Sequence, residues 1–209
     1  MPNTSEAKAA ALIASLRSQP LLVVLRADQP LALQPQIARL AGMGVRHVEI
    51  AWADQPGWVD QIVALREQFV QLRLGAASVV DDRALSAVVE AGLSFAVSPV
   101  LDTTLLARAA RLGITLVPGV MSPSEVHQAR ALGCPLVKLF PATTLGAGHW
   151  RRLAAPLGGL PFCIAAGGLG PEDLGEWLSA GVDAVAIGGS LSSEQAWHNL
   201  GQWLSSRSG

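Results

Sequence analysis

Tyrosine is absent from this 209-residue chain, lysine and cysteine occur twice each, and charged residues make up only 15%. Each scarcity excludes something. Cys134 and Cys163 cannot build a disulfide framework and lack metal-ligand spacing, so both read as small buried side chains. His127, His149 and His198 fall in helix-like segments without ligand spacing, and no metal is expected. A net charge of −1 gives no electrostatic case for nucleic acid or an anionic membrane. Uninterrupted apolar runs stop well short of the ~18 residues that suggest a membrane span. Met1 to Lys8 is polar and lacks a signal-peptide core, so a cytoplasmic location is expected.

What is present is apolar: half the residues are hydrophobic, which implies a sheet buried on both faces, as in parallel sheets wrapped by helices. Eight strand-like segments recur, with cores at Leu21–Leu25, Val45–Ala51, Leu72–Ser78, Phe95–Ser98, Ile114–Pro118, Leu136–Phe140, Phe162–Ala166 and Ala184–Ile187. Their starts lie roughly 20 to 27 residues apart, enough each time for a strand, a helix and two short loops. Helical periodicity fills the gaps, as in Trp58, Ile62, Leu65 and Phe69. Gly44, Gly92, Gly113, Gly133 and Gly181 stand where helices should end. A further helix through Ala9–Leu16, capped by Thr4 or Ser5, precedes the first strand. The expectation is one domain over residues 1–209, a (β/α)8 TIM barrel with an extra N-terminal helix. An open dinucleotide-binding sheet is disfavoured, because Leu25-Arg26-Ala27-Asp28 bears no likeness to G-x-G-x-x-G.

In such barrels chemistry belongs at the C-terminal ends of the strands. Those ends include Arg26, Glu49, Ser78, Ser98-Pro99, Pro118-Gly119, Lys138, Gly167-Gly168 and Gly188-Gly189-Ser190. Lys138 sits amid Leu136–Phe140, and alternation puts it on one face with Leu136 and Phe140. Desolvation disfavours an ammonium, and a neutral buried amine attacks carbonyls to form a Schiff base. The plainer reading is a lysine that snorkels to solvent or pairs with a carboxylate. Glu49 shares a face with His47 and Ala51, and is either half of an ion pair or a general acid/base of raised pKa. Arg26 is either a surface cap or a bidentate clamp for a substrate carboxylate. His47 reads as a hydrogen-bonded core histidine. Trp52 and Trp58 flank a loop and serve either as a lid or as core. The two glycine pairs, followed by helix starts, favour an anion at the last two strand ends.

Taken in order, Val48-Glu49-Ile50, Phe95-Ala96-Val97-Ser98-Pro99, Val117-Pro118-Gly119-Val120, Val137-Lys138-Leu139-Phe140-Pro141-Ala142, Gly167-Gly168 and Gly188-Gly189-Ser190 resemble the class I 2-keto-3-deoxy-6-phosphogluconate/4-hydroxy-2-oxoglutarate aldolases. The resemblance spans nearly the whole chain. It implies a homotrimeric lyase without cofactor or metal that cleaves a small 2-keto-4-hydroxy acid to pyruvate and an aldehyde. It makes Lys138 the Schiff-base lysine and Glu49 the acid/base. Phe140 and Pro99 would line the pyruvate pocket, and Gly167, Gly168, Gly189 and Ser190 would hold a distal phosphate. An iminium would also accept electrons from loss of CO2, so oxaloacetate decarboxylation is a further expected activity.

The chain also departs from the family. The usual Thr-Leu-Arg-Thr after the glutamate is Ala51-Trp52-Ala53-Asp54 here, so its substrate-binding arginine is missing. Gly-Ala-Gly-Thr-Val is Gly75-Ala76-Ala77-Ser78-Val79, which keeps a hydroxyl at Ser78. Ala166 replaces a threonine. The galactonate branch of the family also lacks that arginine and has one at the end of strand one, where Arg26 stands. Two other readings stay open: a phosphosugar isomerase or synthase on a similar barrel, and a degenerate barrel that only binds a metabolite.

Overall fold

The computed structural model describes residues 4–207. Its strands are β1 (Leu21–Leu25), β2 (His47–Ala51), β3 (Arg73–Ala77), β4 (Phe95–Val97), β5 (Thr115–Val117), β6 (Gly119–Val120), β7 (Leu136–Leu139), β8 (Phe162–Ala166) and β9 (Ala184–Ile187). All pair in parallel, in the order β5-β4-β3-β2-β1-β9-β8-β7-β6. The two ends of that order, β5 and β6, are consecutive in the chain, so the backbone itself completes the ring. This is the expected TIM-type barrel.

The expected strand at Ile114–Pro118 is β5, paired with β4; beyond Pro118, Gly119–Val120 form a further short strand, β6, which pairs with β7 and was not among the eight expected. Proline has no N–H to give a ladder, which favours a break there. Its carbonyl still accepts from the Lys138 N–H at 2.8 Å. Gly119 follows because nothing larger fits: a Cβ there would stand 2.2 Å from the Pro99 carbonyl oxygen.

Alternation sorts the side chains as a period of two requires. Leu21, Val23 and Leu25 face the helices with Val48, Ile50, Val137 and Leu139, whereas Leu22, Phe95, Leu136 and Ile164 fill the barrel. Gly75 makes the interior fit, since its Cβ would overlap the Phe95 ring at 2.3 Å. Helix α1 (Thr4–Ser18) packs Ala9, Leu12 and Leu16 against this inner cluster. It is longer than the expected Ala9–Leu16. Ser5 lies within it and donates its hydroxyl to the Ile114 carbonyl oxygen at 3.1 Å, while the Thr4 side chain lies outside the described residues.

The glycines expected at helix ends stand there with left-handed backbone. At Gly133 (φ 73°), N–H donates to Arg130 and the next N–H, of Cys134, donates to Ala129. That left-handed turn is nearly free for glycine and feeds the chain into β7. No helix among the described residues is long and apolar enough to cross a membrane.

Candidate active site

Lys138 reaches the barrel interior because β7 sets Val137 and Leu139 against the outer helices. It is only 8% exposed, its backbone is level with Ile164 of β8 and Gly119 of β6, and its Nζ lies 4.3 Å from the centre of the Phe140 ring. Burial lowers its pKa, Glu49 pulls it back up, and Arg26 lowers it further. The other lysine, Lys8, donates to the Gly113 carbonyl oxygen from α1, so Lys138 is the single interior lysine among the described residues.

Glu49 is 1% exposed, level with Val24 of β1 and Gly75 of β3. Its Oε1 is buried without a hydrogen-bond partner among the described residues. An ionised carboxylate there is poorly solvated, and burial pushes its pKa up to about 8 despite the opposing pull of Lys138 and Arg26. Carboxyl and amine each perturb the other's titration, and Arg26 perturbs both. Three charged groups from β1, β2 and β7, dispersed in sequence, therefore share one electrostatic environment.

A cavity of about 600 Å³ opens at the C-terminal end of β1, β7, β8 and β9. Its walls include Arg26, Lys138, Phe140, Gly167, Gly168, Gly189 and Ser190, all singled out from sequence. Ser78 and Pro99 end β3 and β4 but are not part of this wall. Ser78 adopts a left-handed backbone (φ 62°), uncommon for a residue with a side chain. Gln36, Leu169, Leu191 and Ser192 also line the cavity and carried no sequence signal as site residues.

The first glycine pair is dictated by crowding. Gly167 has φ 99°, and its Cβ would meet the Phe140 ring at 3.0 Å; Gly168 has φ 82°, with the Thr143 hydroxyl 2.7 Å from where a Cβ would be. Thr143 Oγ donates to the Gly167 carbonyl oxygen at 3.1 Å, tying the loop after β8 to the segment after β7. The Ser190 hydroxyl donates to the Leu169 carbonyl oxygen at 3.0 Å and joins the loops after β8 and β9. Among the described residues the N–H groups of Gly168, Gly189, Ser190 and Ser192 donate to no protein acceptor. Free amide donors at strand ends have the chemistry to hold an anion.

His47 stays out of the site chemistry. Its Nδ1 lies 3.0 Å from the Leu21 carbonyl oxygen, which can only accept, so Nδ1 carries the proton and Nε2 accepts from the Ser15 hydroxyl at 2.7 Å. Burial lowers its pKa to about 4, leaving a neutral ring that fastens α1 to the barrel. Trp58 is core: it is buried and its indole N–H donates to the Ala51 carbonyl oxygen, with Trp52 edge-on at 4.9 Å.

Among known proteins, residues 12–205 match the family model described as KDPG and KHG aldolase. The chain is 31% identical over 199 residues to the 2-dehydro-3-deoxy-phosphogluconate aldolase of Pseudomonas aeruginosa, covering 95% of this chain and 89% of that one. It is 28% identical over 173 residues to the 2-dehydro-3-deoxy-6-phosphogalactonate aldolase of Escherichia coli, covering 82% and 84%. It also superposes on the crystal structure of the 4-hydroxy-2-oxoglutarate/phosphogluconate-type aldolase from TTHB1, with a TM-score of 0.75, 29% identity, and 92% and 97% coverage.

Proposed function

This chain belongs to the KDPG and KHG aldolase family, and from that premise we propose that it is a Schiff-base aldolase acting on a 2-keto-4-hydroxy acid through Lys138. The family makes it a lyase that cleaves 2-keto-3-deoxy acids. The observation that carries the finer reading is the pair of buried, mutually perturbed groups inside one barrel, an amine with lowered pKa and a carboxyl with raised pKa. Burial moves such an amine towards its neutral, nucleophilic form and such a carboxyl towards its protonated, proton-donating form.

In this reading the neutral Nζ of Lys138 adds to C2 of the substrate to form a carbinolamine. Glu49 supplies the proton with which hydroxide departs as water, and an iminium remains. When the C3–C4 bond breaks, its electron pair flows into the iminium and the C4 hydroxyl proton is lost, releasing an aldehyde. The resulting enamine takes a proton at C3, and water restores the amine and frees pyruvate. No metal enters this scheme, because the iminium is itself the electron sink. The same sink would accept the electrons left by CO2 when oxaloacetate binds, so decarboxylation belongs to the proposal.

Arg26 is assigned to the substrate carboxylate, which the neighbouring positive charge and its place in the cavity support. Phe140 and Pro99 are assigned to the pyruvate pocket, and Ser78 to the substrate as a hydroxyl at the end of β3. Gly167, Gly168, Gly189 and Ser190 are assigned to a distal phosphate. Gly189 supports this: a Cβ there would meet nothing within 4 Å, so packing does not exclude a side chain. The homotrimer, the single domain and the cytoplasmic location belong to the same reading.

The test is borohydride reduction in the presence of pyruvate, read by peptide mass spectrometry. A pyruvate-derived mass on the Lys138 peptide, lost in Lys138→Ala, is expected. A folded protein that gains no such mass at saturating pyruvate refutes the Schiff-base route.

A further inference from the structure

From the way the loop after β8 is tied down we infer that Thr143 is a positioning residue: its hydroxyl fixes the peptide between Gly167 and Gly168 so that the Gly168 N–H is presented to an anion in the cavity. The inference rests on the reading that places a distal phosphate at the glycine loops, and it adds the side chain that aims one of the donors.

A trans peptide bond is planar, so its C=O and N–H point in opposite directions. The Gly167 carbonyl and the Gly168 N–H belong to one such unit. The carbonyl accepts twice from Thr143, from its backbone N–H at 3.3 Å and from its hydroxyl at 3.1 Å. The N–H at the other end donates to no acceptor among the described residues. Gly167 and Gly168 line the cavity, whereas Thr143 is not part of its wall. The carbonyl is therefore held on the side of the loop away from the cavity, and the amide is left for whatever enters it. The neighbouring Leu169–Gly170 peptide is the contrast. Its carbonyl accepts from the Ser190 hydroxyl at 3.0 Å and its N–H donates to Asp173 Oδ2 at 2.7 Å, so both of its ends are spent within the protein.

The glycines themselves do not choose between the two orientations of this peptide. A flip turns ψ of Gly167 and φ of Gly168, and with no Cβ on either residue positive and negative φ are both open. The φ values in the structure are 99° and 82°. Thr143 supplies the choice in two ways. Its hydroxyl holds the carbonyl, and its side chain packs against Gly168, with Oγ1 2.7 Å and Cγ2 2.9 Å from where a Cβ would stand. Thr143 is itself seated in the short helix Ala142–Leu145, whose first residue is fully buried. The chain running from Lys138 to Thr143 therefore carries both the amine and the group that orients a donor in the loop after β8.

The test compares wild type, Thr143→Val and Thr143→Ser. Valine keeps the branched shape and removes the hydroxyl, whereas serine keeps the hydroxyl. Thr143 is exposed, so neither change opens a cavity in the core. Each protein is assayed for cleavage of a six-carbon 2-keto-3-deoxy-6-phospho sugar acid and of the same acid without its phosphate. Thr143→Val should raise KM for the phosphorylated acid roughly three- to tenfold, the range for one neutral hydrogen bond. Its kcat should hold, the pattern for binding that ground and transition states share. Neither constant should change for the dephosphorylated acid, and Thr143→Ser should behave as wild type. Equal losses on both acids, no loss with valine, or a serine variant as impaired as the valine one overturns the assignment while leaving the phosphate reading standing. A wild type that handles both acids alike overturns the phosphate reading and this assignment together. Borohydride trapping of pyruvate, in which no phosphate takes part, tests the Schiff base apart from both.

Discussion

Replacing Glu49 with glutamine should make the protein more stable and less active, with a gain that depends on pH. The carboxyl has a folded pKa of about 8 against an ordinary value of 4.5, raised chiefly by burial. Between those values the folded state holds a proton that the unfolded state has released. Wild-type stability attributable to Glu49 is therefore fully present below pH 4.5 and is lost as pH rises towards 8. Over the 2.5 units from 4.5 to 7 the linkage amounts to about 3 kcal/mol. A gain of about 2–3 kcal/mol at pH 7 is the working figure, or roughly 4–12 °C in Tm for a chain of this size. The assay is thermal or urea unfolding of both proteins from pH 4 to 8.5 at one protein concentration, since any assembly would make Tm depend on it. The wild type alone would mislead, because His47, lowered to about 4, contributes stability that is lost as pH falls through the acid part of that window. Subtracting the two proteins cancels His47, which both contain. The difference should vanish near pH 4.5 and widen upward, while aldol cleavage falls at least a hundredfold in the variant. A difference that is independent of pH, or a variant less stable at pH 8, would refute the buried, raised carboxyl.

Arg26→Ala should raise KM for the 2-keto acid tenfold or more through loss of a charge-assisted pair with the carboxylate, with Tm nearly unchanged because the residue is exposed; steady-state kinetics with calorimetry checks both. Gly119→Ala should cost more than about 2 kcal/mol in urea unfolding, because its Cβ would lie 2.2 Å from the Pro99 carbonyl oxygen, a backbone atom that cannot swing away. His47→Phe should lower stability by about 1–3 kcal/mol at pH 7 by stranding the Ser15 hydroxyl and the Leu21 carbonyl, and its pH profile should be flatter between 4 and 6.5 than the wild type's.

The barrel was legible because most β/α units announce themselves twice, once by an apolar strand and once by the glycine that ends the preceding helix. Leu21–Leu25, Phe162–Ala166 and Ala184–Ile187 match their strands at both ends. The short β6, Gly119–Val120, was not legible, since two residues after a proline carry no strand period of their own and only their pairing with β7 makes them a strand. Lys138 and Glu49 were visible through a rule of alternation: a charge between residues that must face the helices has to point inward. Gln36 left no such trace. It is a polar residue on an exposed helical turn, like any other, until the ring of strands brings that turn to the wall of the cavity that Lys138 also lines. Trp52 and Trp58 were ambiguous between lid and core, and it took the bond from the Trp58 indole to Ala51 to show core.

The sequence by itself determined the periodicity, hence the barrel, and the two inward charges, because alternation and helix-ending glycines act over a few residues. Only the tertiary structure decided how those charges behave. The depression of Lys138 and the elevation of Glu49 depend on groups far apart in the chain burying both side chains in one barrel, and the free amides depend on where that barrel places the loops after β8 and β9; solvation of a charge is a property of everything around it.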